Sequence, residues 1–443
     1  MSEFNNKEEE ESTNEFQEIE NNLTNKEWFN SLIKQHQSKE QEEEEEEKEE
    51  LEIKEIQLED MSTAGGLSGA LLRRIIVKIK KNKLPQEQQQ QQQQQKEQEE
   101  EIIKKYVIKS TKKGTFQQSK SLKLAREGEF YKLFKNELNS ILAEVIYSYG
   151  DLETGSKLLI MEDLSDAVQT GYFFGPGSPL NWGKDLIKEQ KTLHSIVTLD
   201  MVIEHSMMAV ARLNGLYWMR HSLLESQYSF LRGQDWLLGQ NENIWQGLHS
   251  NSTHSWEQTK SIKFQDPSYH VKWSPYILSL IDSSISKISW LHFQSRLQSS
   301  PWTLVHGDFH PANIMWKPNS SHNLIVLDWE LVGLGSGAQD VGQYFISHLN
   351  PKQRKEIEES MVRLYYNELI SYGINDKVNQ ELHYTWEMCW NEYIYGGIEK
   401  WIWLLALLSS MLPDPLMQYF HDQVEAFGQD HHVTPEKIGM PRL

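Results

Sequence analysis

Residues 305–316 read VHGDFHPANIMW, and residues 325–330 read IVLDWE. The first stretch has the form His-x-Asp-x-x-x-x-Asn, with His306, Asp308 and Asn313; the second ends an apolar, β-branched run on Asp328. Two carboxylates and a side-chain amide at this spacing suit phosphoryl transfer. That chemistry needs a carboxylate near the acceptor hydroxyl, oxygen ligands for Mg²⁺ on the nucleotide phosphates, and a lysine on those phosphates. Asp308 is placed to orient the hydroxyl or take its proton. Asn313 offers a neutral oxygen to a hard cation, which prefers such ligands. The run NIMWKPNSSHNLIVLD reads as strand, turn, strand, and the hairpin predicts Asp328 beside Asn313, one metal held from both strands.

Other elements must bring the remaining parts. Strand-like runs are LLRRIIVKI (71–79) and KYVIKS (105–110), with a further strand at about 51–57. TAGGLSGALLRRI sets Gly65, Gly66, Ser68 and Gly69 between the strand at about 51–57 and strand 71–79, where glycines let backbone N–H groups approach phosphates. Three nearby glycines also mark ordinary turns. Residues 122–138 have helical periodicity, which puts Glu127 in an apolar stripe with Tyr131, Phe134 and Leu138. A carboxylate there needs a cation, and Lys109 in strand 105–110 is the natural partner, able to reach the α- and β-phosphates; Glu129 faces away. KLLIMEDL (157–164) reads as another strand, and from Asp185 onward helical patterns dominate, at about 185–198, 199–220, 275–298, 351–373, 378–410 and 415–427.

The first 60 residues hold 22 acidic and 6 basic side chains and carry −16 of the net charge of −20. A run such as KEQEEEEEEKEE cannot bury a core, so residues 1–50 are expected to be a disordered acidic tail, dispensable for folding and chemistry, whose protein partners stay open. WFNSLI (28–33) suits a docking helix less well than a passing fluctuation. The Gln/Glu-rich block at about 82–101 reads as an insertion in an exposed hairpin loop, between the two halves of an N-terminal region spanning 51–160. Residues 161–427 form the helical region and 428–443 a C-terminal tail, in which DHH (430–432) is solvated. No basic field invites nucleic acid. With one cysteine, Cys389, there is no disulfide framework, and a reducing compartment fits. The N-terminus resembles no signal or transit peptide, and WIWLLALL (401–408) is far short of the ~20 residues a membrane span needs, so a cytoplasmic protein is expected.

HGDFHPANIMW, LDWE and GAQDVGQYF resemble the aminoglycoside phosphotransferase and choline-kinase-like superfamily. EGEFY, LLIMEDLS and YGGIEKWIW are similar to landmarks of its ecdysteroid-kinase-like branch. The resemblance covers roughly residues 55–427. It implies an α+β, bilobal protein-kinase-like fold and ATP- and Mg-dependent phosphorylation of a small-molecule hydroxyl. It makes Asp308 the catalytic carboxylate, Asn313 and Asp328 the metal ligands, Lys109 and Glu127 the phosphate-orienting pair, and the Glu162–Leu164 backbone the adenine-binding hinge. His306 and His310 are expected to hold the loop, and Asp340 to brace the larger, helical lobe by hydrogen bonding. Asn214 stands where many relatives carry histidine.

Trp386, Glu387, Trp390, Tyr393, Glu399 and Trp401 bring aromatic faces and carboxylates together, as a quaternary ammonium would want, but at the helical spacing of a buried face. A protein kinase needs a long activation segment after its metal-binding Asp, and only WELVGLGSGAQ separates Asp328 from Asp340. A nucleotide-binding pseudokinase used as a scaffold is the alternative; it would not need all of Lys109, Glu127, Asp308, Asn313 and Asp328.

Overall fold

The computed structural model describes residues 15–40, 50–61, 70–82, 100–191, 193, 196–318, 323–375 and 383–439. The chain divides into two units, residues 1–164 and 165–443. The first is strand-rich and the second mainly helical, the α+β organisation expected of a kinase-like fold.

In the first unit, β1 (Glu50–Asp60), β2 (Leu71–Asn82), β3 (Glu100–Ser110), β4 (Val145–Asp151) and β5 (Ser156–Glu162) form one antiparallel sheet in the order β1-β2-β3-β5-β4. β2 and β3 pair from Leu71↔Ser110 to Lys81↔Glu100, so the Gln/Glu-rich block joins the ends of a long hairpin, as a tolerated insertion should. Residues 83–99 and the glycine-rich positions 62–69 lie outside the described residues, Gly65, Gly66, Ser68 and Gly69 among them.

The expected disordered tail is corrected for residues 15–40. Residues 15–22 are helical, and α1 (Lys26–Glu40) follows, started by Asn25, whose Oδ1 accepts from the Glu27 and Trp28 N–H groups at 3.0 and 3.2 Å. Phe16, Ile19, Leu23, Phe29, Leu32 and Ile33 are all buried, in one cluster with Ile53, Ile75, Val77, Tyr106 and Ile108 of the sheet. Glu20 forms a two-bond ion pair with Arg73 of β2. Charge density had hidden the spacing: Phe29, Leu32 and Ile33 fall at i, i+3 and i+4, enough for one apolar helix face. Residues 1–14 and 41–49 lie outside the described residues.

α2 (Arg126–Phe134) lies against β4 so closely that a Cβ on Gly128 would stand 2.3 Å from the Tyr149 carbonyl oxygen. Glycine there lets the helix bring its stripe, Glu127, Tyr131 and Phe134, fully into the interior.

The second unit is built on α3 (Leu199–Leu216), α4 (Glu242–Ser261), α5 (Pro275–Ser286), α6 (Gly337–His348), α7 (Pro351–Ser371), α8 (Gly397–Leu408) and α9 (Asp414–Asp430). The helix expected at 185–198 is a single turn, Leu186–Glu189. Among the helices longer than one turn, α4, whose polar sequence conceals Trp245 and Trp256, and α6, buried along its whole length, went unread. α8 continues from Trp386–Asn391 through a π turn, Glu392–Gly396. Two small sheets, β6-β8-β9 and β7-β10, carry the opening motif: β6 (Val168–Gln169), β7 (Thr303–Val305), β8 (Ile314–Trp316), β9 (Leu324–Val326) and β10 (Gly333–Gly335). Asn214 locks α3 to this layer, donating to the Leu304 carbonyl at 2.9 Å and accepting from the Tyr365 hydroxyl at 2.9 Å.

The expected C-terminal tail is also corrected through residue 439. Val433 and Ile438 are buried, and Lys287 donates to the Pro435 and Ile438 carbonyls at 2.7 and 2.6 Å. The DHH segment is a clamp: Arg354, itself buried, bonds Asp430, and His431 meets Glu358 at 3.2 Å. Among the described residues no helix is long and apolar enough to cross a membrane.

Candidate functional site

In the first unit, Glu127 receives two ammonium groups. Lys109 Nζ of β3 stands 2.7 Å from Oε2, and Lys157 Nζ of β5 stands 2.6 Å from the same oxygen. Burial works against a charged carboxylate, yet the two lysines overcome it and hold the Glu127 carboxyl at about 2. Glu129, on the other side of the helix, pairs with Lys132 at 3.6 Å. The Lys109–Glu127 pair is therefore where periodicity placed it. Lys157 was missed, although strand parity points to it: Lys109 stands opposite Leu159, and Lys157 is two residues from Leu159, on the same face of the sheet. Glu162 ends β5, and Leu164 is the last residue of the first unit.

In the second unit the hairpin forms as read. Ile314 pairs with Val326 and Trp316 with Leu324, and the Leu327 N–H donates to the Asn313 carbonyl at 2.8 Å. That register brings Asp328 to the Asn313 end of the hairpin. Asp328 adopts φ 66°, a left-handed conformation uncommon for a side chain without glycine's freedom. The Asn313 amide nitrogen is committed, donating to the Asp308 carbonyl at 3.0 Å and reaching its carboxylate at 3.4 Å. What Asn313 has left to offer is its amide oxygen. An amide oxygen and a carboxylate held by one hairpin suit a hard divalent cation.

Asp308 is held from three sides. Gln343 Nε2 of α6 donates to Oδ1 at 2.7 Å, while His310 Nε2 and the Asn313 amide stand 3.4 Å from Oδ2. Burial alone would raise this carboxyl; His310, Lys400 and His306 instead hold it well below the usual carboxylate range. His310 is correspondingly raised, the Asp308 charge outweighing burial. His306 does the holding expected of it: its Nε2 meets the Leu327 carbonyl at 2.9 Å, and its Nδ1 accepts from the Asp308 N–H at 3.2 Å. Gly307 sits at φ +81°, where a Cβ would stand 2.2 Å from the Leu331 carbonyl oxygen.

Asp340 braces the loop, its Oδ2 accepting from the His306 and Gly307 N–H groups at 2.8 and 3.2 Å. Lys400 of α8 completes the brace, donating to the Gly307 carbonyl at 2.6 Å with its Nζ 3.7 Å from Asp340. Gln343 and Lys400 were not singled out in the sequence. Gln343 follows Asp340 by three positions, on the same helical face, and that spacing was the available signal.

The aromatic stripe is packing, as helical spacing implied. Trp386 stacks on Trp390 at 5.4 Å, Trp390 on Tyr393 at 5.1 Å, and the Arg363 guanidinium covers Trp386 at 3.9 Å.

Residues 193–426 match the model of the family DUF1679, described as uncharacterized oxidoreductase dhs-27. No curated protein sequence matches the chain. Solved structures similar to it include a protein from Ralstonia eutropha assigned as an aminoglycoside phosphotransferase, at 14% identity and TM-score 0.40, covering 91% of this chain and 98% of that one. An ethanolamine kinase from Plasmodium vivax aligns at 13% identity and TM-score 0.40, covering 84% and 81%. A microcompartment-associated aminopropanol kinase aligns at 12% and 0.35, covering 75% and 88%. The substrates in those names belong to those proteins. With more than half of its length inside the family match, the chain belongs to DUF1679, the ecdysteroid-kinase-like family that its motifs resemble.

Proposed function

We propose that the protein is an ATP- and Mg²⁺-dependent phosphotransferase acting on a hydroxyl of a small molecule. The observation that carries this reading is the Asp308 carboxylate, fixed at 2.7 Å by Gln343 on a loop whose next elements supply Asn313 and Asp328. In this reading the acceptor hydroxyl gives its proton to Asp308 as its oxygen bonds the γ-phosphorus. The bond from that phosphorus to the β–γ bridging oxygen breaks, ADP leaves, and Asp308 returns the proton to solvent. Asn313 and Asp328 would hold the metal, which neutralises phosphate charge. Lys109, oriented by Glu127, would take the α- and β-phosphates, and the Glu162–Leu164 backbone the adenine.

The family description carries the word oxidoreductase. Hydride chemistry on a dinucleotide commonly uses Gly-x-Gly-x-x-Gly/Ala in a parallel strand–helix–strand unit. Gly333-Leu334-Gly335-Ser336-Gly337-Ala338 has that spacing, but β10 pairs antiparallel with β7 and α6 is buried along its whole length, N-terminus included. The residues held around Asp308 suit phosphoryl transfer instead.

The test is ADP formation by purified protein across a panel of hydroxyl compounds, with mass spectrometry of the products. A phosphorylated product that disappears with Asp308→Asn supports the reading. Metal-independent nucleotide binding, indifferent to Asp328→Asn, would sink it and favour a nucleotide-binding scaffold.

A further inference from the structure

Lys400 is out of keeping with its surroundings. It lies in α8 close in sequence to Ile398, Trp401 and Ile402, all buried, and is itself 4% exposed. A buried ammonium is costly unless hydrogen bonds and a counter-charge offset the loss of water. The adjacent carboxylate, Glu399, is taken up elsewhere, by Arg296 at 2.5 Å and the Gly439 N–H at 2.8 Å.

Lys400 instead faces the Asp308 loop. Its Nζ donates to the Gly307 carbonyl at 2.6 Å, with Asp340 Oδ1 at 3.7 Å as counter-charge. That carbonyl and the Asp308 N–H belong to one peptide unit, and the N–H donates to His306 Nδ1 at 3.2 Å. The peptide leading into Asp308 is therefore gripped at both poles, by Lys400 on one side and His306 on the other.

Gly307 makes the grip matter. A Cβ there would stand 2.2 Å from the Leu331 carbonyl oxygen, so glycine is required, and at φ +81° it brings the backbone freedom that a side chain would restrict. Asp340 fixes the His306 and Gly307 N–H groups at 2.8 and 3.2 Å, but these belong to the two preceding peptides. Rotation about the Gly307 Cα–C bond is opposed by the bonds to the following peptide, of which the charged Lys400 bond is the shorter. α8 delivers it by crossing α6 in near backbone contact, where a Cβ on Gly397 would stand 2.8 Å from Gly342 Cα. Lys400 is three positions after Gly397, and Gln343 directly follows Gly342. One crossing thus supplies the cation behind the Asp308 peptide and the amide on the Asp308 carboxylate.

Resting on the phosphotransferase reading, we propose that Lys400 is a positioning residue for the transfer. By holding the Gly307–Asp308 peptide it keeps the Asp308 carboxylate aimed at the acceptor hydroxyl. Lys400 acts on turnover through Asp308 and leaves nucleotide affinity to other residues.

A double-mutant cycle tests this. ADP release from Mg·ATP is measured with water alone and across the hydroxyl panel. The fastest reaction is then used for the parent, Lys400→Met, Asp308→Asn and the double variant. Lys400→Met should lower kcat by about 10–100-fold and keep the KM for Mg·ATP within about 2-fold of the parent's, because misplacing a reacting group slows the chemical step. In the Asp308→Asn background the same substitution should lower the residual kcat by less than about 3-fold, since the carboxylate it positions is already gone. A residue that merely supports the fold would lower kcat by the same factor in both backgrounds, and that result overturns the proposal. So does an unchanged kcat in Lys400→Met, or a KM for Mg·ATP that rises as far as kcat falls. If Lys400→Met does not fold, Lys400→Gln, whose amide ends one atom short of the Gly307 carbonyl, is carried through the same cycle under the same criteria. Each of these failures leaves the phosphotransferase standing. No ADP release with water or with any compound, or release that Asp308→Asn leaves unchanged, overturns the proposal and that reading together.

Discussion

Asp308, Asn313 and Asp328 share one loop and hairpin but are held differently, and their variants should fail differently. Asp308→Asn keeps shape and hydrogen bonding while removing the carboxylate, so Mg·ATP binding should persist while turnover drops about 10²–10⁴-fold. Asp328→Asn removes a charged ligand, so metal-dependent nucleotide affinity should fall together with turnover. Nucleotide titration with and without Mg²⁺, beside product formation, separates the two; equal affinity loss would put Asp308 on the metal. Gln343 acts through Asp308, to which it donates at 2.7 Å. Gln343→Met should lower kcat about 10-fold and leave nucleotide affinity unchanged, and Gln343→Glu should be worse, because like charges would face each other. A thermal midpoint that falls as far as kcat would make Gln343 a packing residue only.

The helix α2 and strands β3 and β5 meet on one carboxylate, which makes the joint sensitive to both mutation and acid. Glu127 is 1% exposed and Lys157 2%, against 12% for Lys109. Glu127→Ala should cost about 3–5 kcal/mol by leaving two buried ammonium groups without their carboxylate, while Glu129→Ala should be close to neutral in urea unfolding. Lys157→Met should act mainly on stability and Lys109→Met mainly on nucleotide affinity, since Lys109 is the more accessible of the two. The folded carboxyl lies near 2, below its ordinary 4.5. Its stabilisation is therefore complete above pH 4.5 and lost as pH falls toward 2, a contribution on the order of 3 kcal/mol. Urea midpoints measured from pH 6 to pH 3 should fall in the parent, and Glu127→Gln should flatten that limb.

Nearly all of the excess negative charge lies in a stretch whose middle is nonetheless structural. Residues 15–40 cover the sheet of the first unit with six buried apolar side chains, Leu23 and Phe29 among them at 0% exposure. Deleting residues 1–40 should therefore lower the thermal midpoint by more than about 5 °C, and Leu23→Ala alone should cost about 2–5 kcal/mol. An unchanged midpoint in a scanning calorimeter would mean that these helices do not pack on the sheet in solution. The C-terminal stretch to residue 439 is bound in the same way, through Val433, Ile438 and the clamp on Arg354.

Local spacing made much of this molecule legible. The Asp308 loop, the hairpin that joins Asn313 to Asp328, and the stripe that buries Glu127 are all separated by turns or helical repeats, whose geometry follows from the chain within a few residues. Strand and helix order fixed the α+β class for the same reason. Lys157, Gln343 and Lys400 were not singled out, because each meets its partner across a long sequence separation: 30 residues from Lys157 to Glu127, 35 from Gln343 to Asp308 and 93 from Lys400 to Gly307. The N-terminal helices were hidden for another reason. Composition reports average solvation, whereas burial needs only a few apolar residues on one face and a sheet to receive them, and whether that sheet lies within reach is decided by the folded chain alone.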